Sequence, residues 1–287
     1  MTTVTRFAPS PTGPLHLGHA FSAFVAHDLA QKSNGIFHLR IEDIDRTRAR
    51  PHWEQAIYDD LHWLGLDWPR PVMRQFDRTE VYFEALQRLW QDGLLYPCSC
   101  SRRDIEAAAQ APQEGAEATH GPDGLIYPGT CRHKSRTTRA PLPRQTALRL
   151  DMCAAMSRLG LDTIRYTETG SGRDEDMVRP ARHLVDHVGD VVLSRRDHLG
   201  SYHISVVLDD AAQGVTHVVR GNDLAEATWI HRVLQELLDL PQPLYHHHRL
   251  IRDEDGRRLA KRDDARAIAT YRAAGWTPRQ IRKAVGL

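Results

Sequence analysis

At 287 residues, with 41% hydrophobic and 26% charged side chains, the chain can bury a substantial core in one large domain or a few small ones. Its net charge of +1 excludes a global basic field, so nucleic-acid contact must come from local patches. No apolar run approaches membrane-spanning length and no basic-then-apolar leader opens the chain, so a cytoplasmic protein without membrane contact is expected.

Val4–Phe7 reads as a short strand feeding Ala8–Pro14, where three prolines remove backbone donors and Gly13 allows a tight turn. Leu17, Phe21, Phe24, Val25 and Leu29 then recur at helical spacing, which predicts a helix from Leu17 to about Lys32, closed by Asn34-Gly35. His16-Leu17-Gly18-His19 therefore sits at a helix N-terminus after a rigid loop. Free N–H groups and the positive end of the helix dipole favour phosphate there, two imidazoles can add donors, and Gly18 lets a flat ligand approach the backbone. Phe37, Leu39 and Ile41 alternate with His38, Arg40 and Glu42, a strand signal. Strand, helix and strand make a βαβ unit with a parallel sheet, and Glu42 falls at the carboxyl end of its second strand, where such sheets bind ligands. The run Glu42–Arg48 is densely charged. Helices are expected over 51–64 and about 79–92, from Trp53, Ile57, Leu61 and Leu64 and from Tyr82, Leu86 and Leu89; both read as plain sheet-covering helices.

Residues 97–186 change character. Four cysteines, three of them within 98–131, are too few and too clustered for a secreted disulfide scaffold, and in a reducing compartment they suggest metal. Cys98-Ser99-Cys100 with Cys131 forms a plausible zinc site, for which residues alone suggest His120 or His133 as fourth ligand. Cys153 is expected in the core. Residues 107–124, rich in Ala, Gly, Pro and Gln, read as a mobile loop. Arg132, Lys134, Arg136, Arg139, Arg144 and Arg149 form an acid-free basic run, a candidate for phosphate-backbone contact.

The sheet is expected to resume near 186, with Val188 and Val191–Leu193 as a β-branched run. Ser201–Asp210 leads to Val215, Val218 and Val219, a short buried strand with Arg220 at its carboxyl end. Trp229, Val233, Leu234 and Leu237 are helically spaced, and Pro241 and Pro243 mark a boundary. His246–His248 lie on a strand, where alternate side chains point apart and cannot converge on one ion. Residues 249–287 carry eleven Lys or Arg against five acids and read as one or two helices after a basic loop.

The stretch 6–19, RFAPSPTGPLHLGH, closely resembles the ATP-binding signature of class I aminoacyl-tRNA synthetases in the form used by glutamyl-tRNA synthetases, with His16–His19 in place of the HIGH box. Arg258–Arg262 resembles the second signature, KMSKS, with Arg, Leu and Ala at the first three places and Lys261 at the place of its lysine. The resemblance covers essentially the whole chain and is nearest to the truncated glutamyl-Q tRNA(Asp) synthetase group. It implies an α/β fold: a Rossmann-type parallel sheet in two halves, 1–96 and 187–240, with an inserted zinc-containing, acceptor-binding-like domain at 97–186. Residues 241–287 would hold the KMSKS-like loop and a short helical segment, with no anticodon-binding domain. It implies catalytic and ATP-binding roles for His16, Gly18, His19 and Lys261, of which Gly18 only binds. L-glutamate would be held by Arg6, Phe7, Ala8, Pro9, Ser10, Glu42, Tyr202 and Arg220, with Glu42 on its ammonium group. One structural Zn²⁺ would be held by Cys98, Cys100, Tyr127 and Cys131, the tyrosine oxygen completing the set.

The implied activity is ATP- and Mg²⁺-dependent, tRNA-independent formation of glutamyl-adenylate by a monomer. Glutamate would then pass to the queuosine cyclopentenediol at the anticodon wobble position of tRNA(Asp). Two other expectations are a shortened synthetase charging a tRNA 3′ end and a catalytically inactive zinc-knot RNA-binding protein; intact His16, His19 and Lys261 argue against the second.

Overall fold

Strands β1 (Val4–Phe7) and β2 (Ile36–Ile41) run parallel, from Val4 opposite Ile36 to Phe7 opposite Leu39, joined by helix α1 (Leu17–Gln31). The computed structural model describes residues 2–109, 120–133, 140–170, 172, 174–251 and 266–287. The expected βαβ unit is therefore present, and its turn shows why Asn34-Gly35 stands there. Asn34 takes a left-handed φ of 50°, and a Cβ on Gly35 would lie 2.0 Å from the Thr3 carbonyl oxygen.

After α2 (Pro51–Trp63) the short β3 (Met73–Arg74) extends the sheet parallel to β2. Helix α3 (Thr79–Gln91) leads to β4 (Leu95–Cys98), and α4 (Arg102–Ala109) follows. The loop expected over 107–124 divides. Residues 110–119 lie outside the described residues, while β5 (His120–Gly121) and β6 (Gly124–Leu125) form a hairpin. Strand β7 (Ala147–Leu150) pairs antiparallel with β4 and precedes α5 (Met152–Leu159). On α5 the residues Met152, Ala155 and Met156 take the buried side, so Cys153 is exposed, not in the core.

Strands β8 (Thr163–Glu168) and β9 (Glu175–Pro180) pair antiparallel and precede a helical turn, α6 (Ala181–His183). The β-branched run contributes less strand than expected: Leu184–Val188 is a π-turn, Gly189 breaks the chain at φ 69°, and only β10 (Val192–Ser194) is extended, beside β7. Helix α7 (Tyr202–Ala212) leads to β11 (His217–Gly221), α8 (Ala227–Leu237) and β12 (Leu244–His248). β12 runs parallel to both β11 and β8, so residues 163–168 share a sheet with β11 and β12. β11 meets β1 where Thr216 N–H donates to the Val4 carbonyl at 2.9 Å and Val4 N–H to Thr216 Oγ1 at 2.8 Å. The parallel strands of both halves thus share one carboxyl edge.

The expected α/β architecture holds, and the polar positions of the alternation in β2 are not all solvated: Arg40 has no exposed surface. A parallel sheet is covered on both sides, so a polar side chain such as Arg40 is buried and must be paired, while His38 and Glu42 are half-buried.

Two short helices, α9 (Ile268–Ala273) and α10 (Pro278–Ala284), end the chain. They dock on α1 and α2 through buried Ile268 and Ile281, and Arg282 grips Asp28 with two hydrogen bonds of 2.7 and 2.9 Å. On α2, buried Asp60 faces Arg272 at 3.5 Å. Burial pushes its carboxyl up to about 6, against the pull of Arg272. An acid raised in the folded state stabilises below its unfolded value and loses that contribution as pH rises through the folded one. Asp60→Asn is therefore expected to raise the melting temperature at pH 8 by roughly 2–4 °C, with the gain gone near pH 4, as calorimetry at the two pH values would measure.

Candidate active site

The loop after β1 folds back on the end of β2. Glu42 N–H donates to the Pro9 carbonyl and Arg50 N–H to that of Pro11, both at 3.0 Å, so the loop is tied down through proline carbonyls although the prolines donate nothing. Phe7 and Pro9 are buried, Ala8 is half-buried and Ser10 is exposed. His16 caps α1 as expected. Its Nδ1 accepts from Gly18 N–H at 3.1 Å, and His19 Nδ1 accepts from His16 N–H at 3.2 Å. The two rings stack with centroids 3.8 Å apart. With both Nδ1 atoms accepting, each neutral ring carries its proton on Nε2, as a donor suited to phosphate. His16 also bridges to Ala267, and Ile268 N–H donates to the Leu15 carbonyl at 2.8 Å. The far flank of 252–265 is thus fixed at the first signature; Lys261 and the KMSKS-like stretch lie outside the described residues.

The structure brings Arg6, Glu42, Tyr202 and Arg220 together beneath this loop. Burial pushes the Tyr202 hydroxyl up, while Arg220 and Arg6 draw it down and Glu42 pushes with burial, so all four interact. Arg6 donates to Asp210 Oδ1 at 2.9 Å and to the Val219 carbonyl at 3.1 Å. Arg40 donates to the same Asp210 oxygen at 2.6 Å and to Glu42 Oε1 at 3.3 Å. Burial alone would raise Asp210, but Arg6 and Arg40 together hold it below the ordinary carboxylate range. Glu42 ends above its ordinary range: burial pushes it up more than Arg40 and Arg6 pull it down. An arriving ammonium group would supply what Glu42 lacks. Arg220 differs from both other arginines. It contacts Tyr202 OH, His231, His247 and Thr228, and no described carboxylate pairs with it. A cation so placed can take a substrate carboxylate.

Sequence reasoning missed Arg40, Asp210, Glu168, His231 and His247. The adjacent acids Asp209 and Asp210, closing an otherwise apolar helix, were the available signal; nothing local marked the histidines.

Beyond this site lies the cysteine cluster. The sulfurs of Cys98, Cys100 and Cys131 all lie within 4.8 Å of one another, and the Tyr127 hydroxyl is 3.5 Å from Cys98 Sγ and 3.3 Å from Cys100 Sγ. Tetrahedral zinc with bonds of about 2.3 Å needs ligand atoms about 3.8 Å apart, so the donor set fits that ion. Neither His120 nor His133, both exposed, joins this group among the described residues.

The basic run does not form one outward patch. Arg149 is buried, donates to the Asp190 carbonyl at 2.9 Å and lies 3.9 Å above the Tyr127 ring. Arg132 pairs with Asp190 at 2.8 Å, and Arg144 lies over Phe83. Asp190 supplies in space the acid missing from the run; Lys134, Arg136 and Arg139 lie outside the described residues. A groove of about 730 Å³ runs past Cys100, Arg102, Asp123, Arg149 and Arg195. Through Asp123 and Arg195 it meets a cavity of about 150 Å³ lined by Tyr202 and His203.

A family model described as tRNA synthetases class I (E and Q), catalytic domain, matches residues 2–287. The glutamyl-Q tRNA(Asp) synthetase of Rhodobacter capsulatus is 59% identical over 99% of this chain and 100% of its own length. That of Symbiobacterium thermophilum is 40% identical over 96% of this chain and 83% of its own. A crystal structure of a glutamate tRNA ligase from Elizabethkingia meningosepticum, in complex with its amino acid, superposes with a TM-score of 0.74 at 25% identity; this chain is covered in full and spans 61% of that one. A catalytic-domain match from end to end, with the signature helix and parallel sheet that carry it, places the chain in the class I tRNA synthetases of the E and Q type, a family of ligases, beside relatives named glutamyl-Q tRNA(Asp) synthetase.

Proposed function

We propose that the chain activates L-glutamate with ATP, without needing tRNA, and transfers it to the queuosine cyclopentenediol at the wobble position of tRNA(Asp). The observation that carries this reading is Arg220, a buried guanidinium without a protein counter-carboxylate among the described residues, grouped with Tyr202, Arg6 and Glu42 beside a histidine-capped helix. The names of the relatives, covered over 100% and 83% of their own lengths, support the acceptor. Residues 1–96 and 187–240 would form the catalytic unit and 97–186 the insertion, whose β8 nevertheless pairs with β12; the protein would act as a monomer in the cytoplasm.

Arg220 and Tyr202 would hold the side-chain carboxylate, Glu42 the ammonium group, and the Arg6–Ser10 loop the flank of the amino acid. An amide offers Arg220 no charge, which disfavours glutamine. The α-carboxylate then attacks the α-phosphorus of ATP, which enters with Mg²⁺; a bond to carboxylate oxygen forms as the bond to pyrophosphate breaks. The attacking group is already ionised, so positioning and stabilisation of the leaving charge suffice. His16, His19 and the α1 N-terminus would meet the phosphates and Lys261 the leaving group. A cyclopentenediol hydroxyl next attacks the adenylate carbonyl and releases AMP. The groove leading to Tyr202 suits entry of that nucleoside. Zinc held by Cys98, Cys100, Cys131 and Tyr127 would cross-link the insertion, with Arg149 offsetting the charge of the thiolates.

Glutamate-dependent pyrophosphate exchange is expected without RNA. Transfer is expected to tRNA(Asp) lacking its terminal adenosine but not to tRNA(Asp) lacking queuosine. The opposite labelling pattern would establish 3′ aminoacylation instead. Lys261→Ala should slow exchange by about 10²-fold with glutamate binding nearly intact, the effect expected for removing one charge that acts on the transition state; unchanged exchange would remove this lysine from the mechanism. Metal analysis should find one zinc per chain in the wild type and none in Cys98→Ser/Cys131→Ser, and equal contents would exclude the site.

A further inference from the structure

Arg220 is surrounded by acceptors of an unusual kind for a buried cation. Its Nε donates to His247 Nε2 at 3.2 Å, Nη1 to His231 Nδ1 at 3.0 Å and to Tyr202 OH at 3.4 Å, and Nη2 to Thr228 Oγ1 at 2.7 Å. Arginine only donates, so the facing ring nitrogens must both be bare. A neutral His231 then carries its proton on Nε2, which points at His203 Nδ1, 3.2 Å away. That nitrogen must accept in turn, which turns the His203 Nε2 proton toward Asp123 Oδ1 at 3.5 Å. On the other side, His247 carries its proton on Nδ1 and donates it to Glu168 Oε2. Glu168 is locked by the N–H groups of Gly170 and His247 at 2.7 and 2.9 Å, which with the His247 ring overcome burial and bring it down to about 2.

Every proton in this line runs outward from Arg220, and both ends are carboxylates held one imidazole or more away. His231, His247 and Thr228 are buried. Burial and the Arg220 cation both hold His231 well below the usual histidine range, in keeping with its bare Nδ1. Arg6 and Arg40, by contrast, touch Asp210 directly.

We propose that His231 and His247 are positioning residues that fix the Arg220 guanidinium through neutral lone pairs alone, each oriented by a remote carboxylate (Asp123 through His203, and Glu168), so that the positive charge of Arg220 stays uncompensated until a substrate carboxylate arrives. This rests on reading Arg220 as the partner of the glutamate side chain. The preference for glutamate over glutamine is then set by the histidines as much as by the arginine. A carboxylate in place of either lone pair would hold Arg220 as firmly and cancel the charge the substrate needs.

The test places that carboxylate. Glutamate and ATP KM values, and the glutamate-to-glutamine ratio of kcat/KM, are measured by pyrophosphate exchange for the wild type, His231→Asp and His231→Asn, with melting temperatures. His231→Asn keeps an acceptor near the Nδ1 position and should hold glutamate KM to within about threefold of wild type, whereas His231→Asp should raise it at least about tenfold, the scale of removing one charge-assisted hydrogen bond to the substrate. ATP KM should stay within about twofold in both, and the preference for glutamate should fall only in the aspartate variant. Should His231→Asp fail to fold, Thr228→Asp against Thr228→Asn asks the same question from the other side of the guanidinium. Equal glutamate KM in the aspartate and asparagine variants, or an unchanged glutamate preference, overturns the proposal while leaving the reading of the site intact. A wild type without glutamate-dependent exchange overturns both.

Discussion

The fold depends on one buried ionic cluster. Arg40 has no exposed surface, and Asp209 and Asp210 on α7 stand against it with Glu42 from the end of its own strand. Arg6 completes Asp210, while Arg78 and Tyr82 complete Asp209. Three guanidinium groups thus face three carboxylates, contributed by β1, β2, the start of α3 and α7. The attraction of opposite charges in a low-dielectric interior offsets their desolvation only when every lone pair and N–H is engaged. One N–H falls short of that condition, since Arg40 Nε lies 3.8 Å from Asp209 Oδ2 without a hydrogen bond, and the remaining bonds tie the first strands to α7. Removing one partner would leave an uncompensated charge, which costs about 3–5 kcal/mol. Because the cluster is balanced, Arg6 and Glu42 are held without drawing on Arg220, which pairs with no carboxylate among the described residues. The cations paired with Asp210 and the cation proposed to bind the substrate side chain thus stand close together in the fold.

Much of this is legible in the sequence because it is local. The proline loop, the helix beginning after His16, the closing Asn34-Gly35 and the alternation in β2 are each written within a few residues, and each appears where the pattern places it. Glu42 and Arg220 can be named from their places at strand ends and Tyr202 from the family resemblance, and the fold brings them together. What sequence reasoning does not reach is non-local. Alternation in β2 signals a solvated face only when one side of a sheet is wet, and here both are covered, so Arg40 reads no differently from an exposed arginine. The run 131–149 looks acid-free because its acid, Asp190, is separated from it in sequence by α5, β8, β9 and α6. Cys153 departs from expectation for a simpler reason: cysteine prefers interiors, but the helix buries the face one residue away.

The histidines show a further limit. Three in a row on β12 point to alternate sides, which argues against a shared metal ion, and that geometry says nothing about what each side holds. Phe21 packs edge-on against His248, while His247 turns the other way to Arg220 and Glu168. Parallel pairing of β12 with both β11 and β8 is what sets Glu168 and Arg220 on opposite flanks of one imidazole. The register, more than any residue type, makes the contact.

The latch between Leu15-His16 and Ala267-Ile268 changes how the second signature should be regarded. The fourteen residues 252–265 leave the core at buried Ile251 and return beside the first signature, where Ile268 is fully buried. Both feet of this stretch are anchored, so the lysine proposed to act on the nucleotide is tethered to the first signature, at a local concentration set by the number of residues between the feet. Such closure depends only logarithmically on length, whereas a shift of either foot would misdirect the whole arc. The Arg-Leu-Ala at 258–260 lies inside that loop, whereas Leu15, His16, Ala267 and Ile268 form its closure.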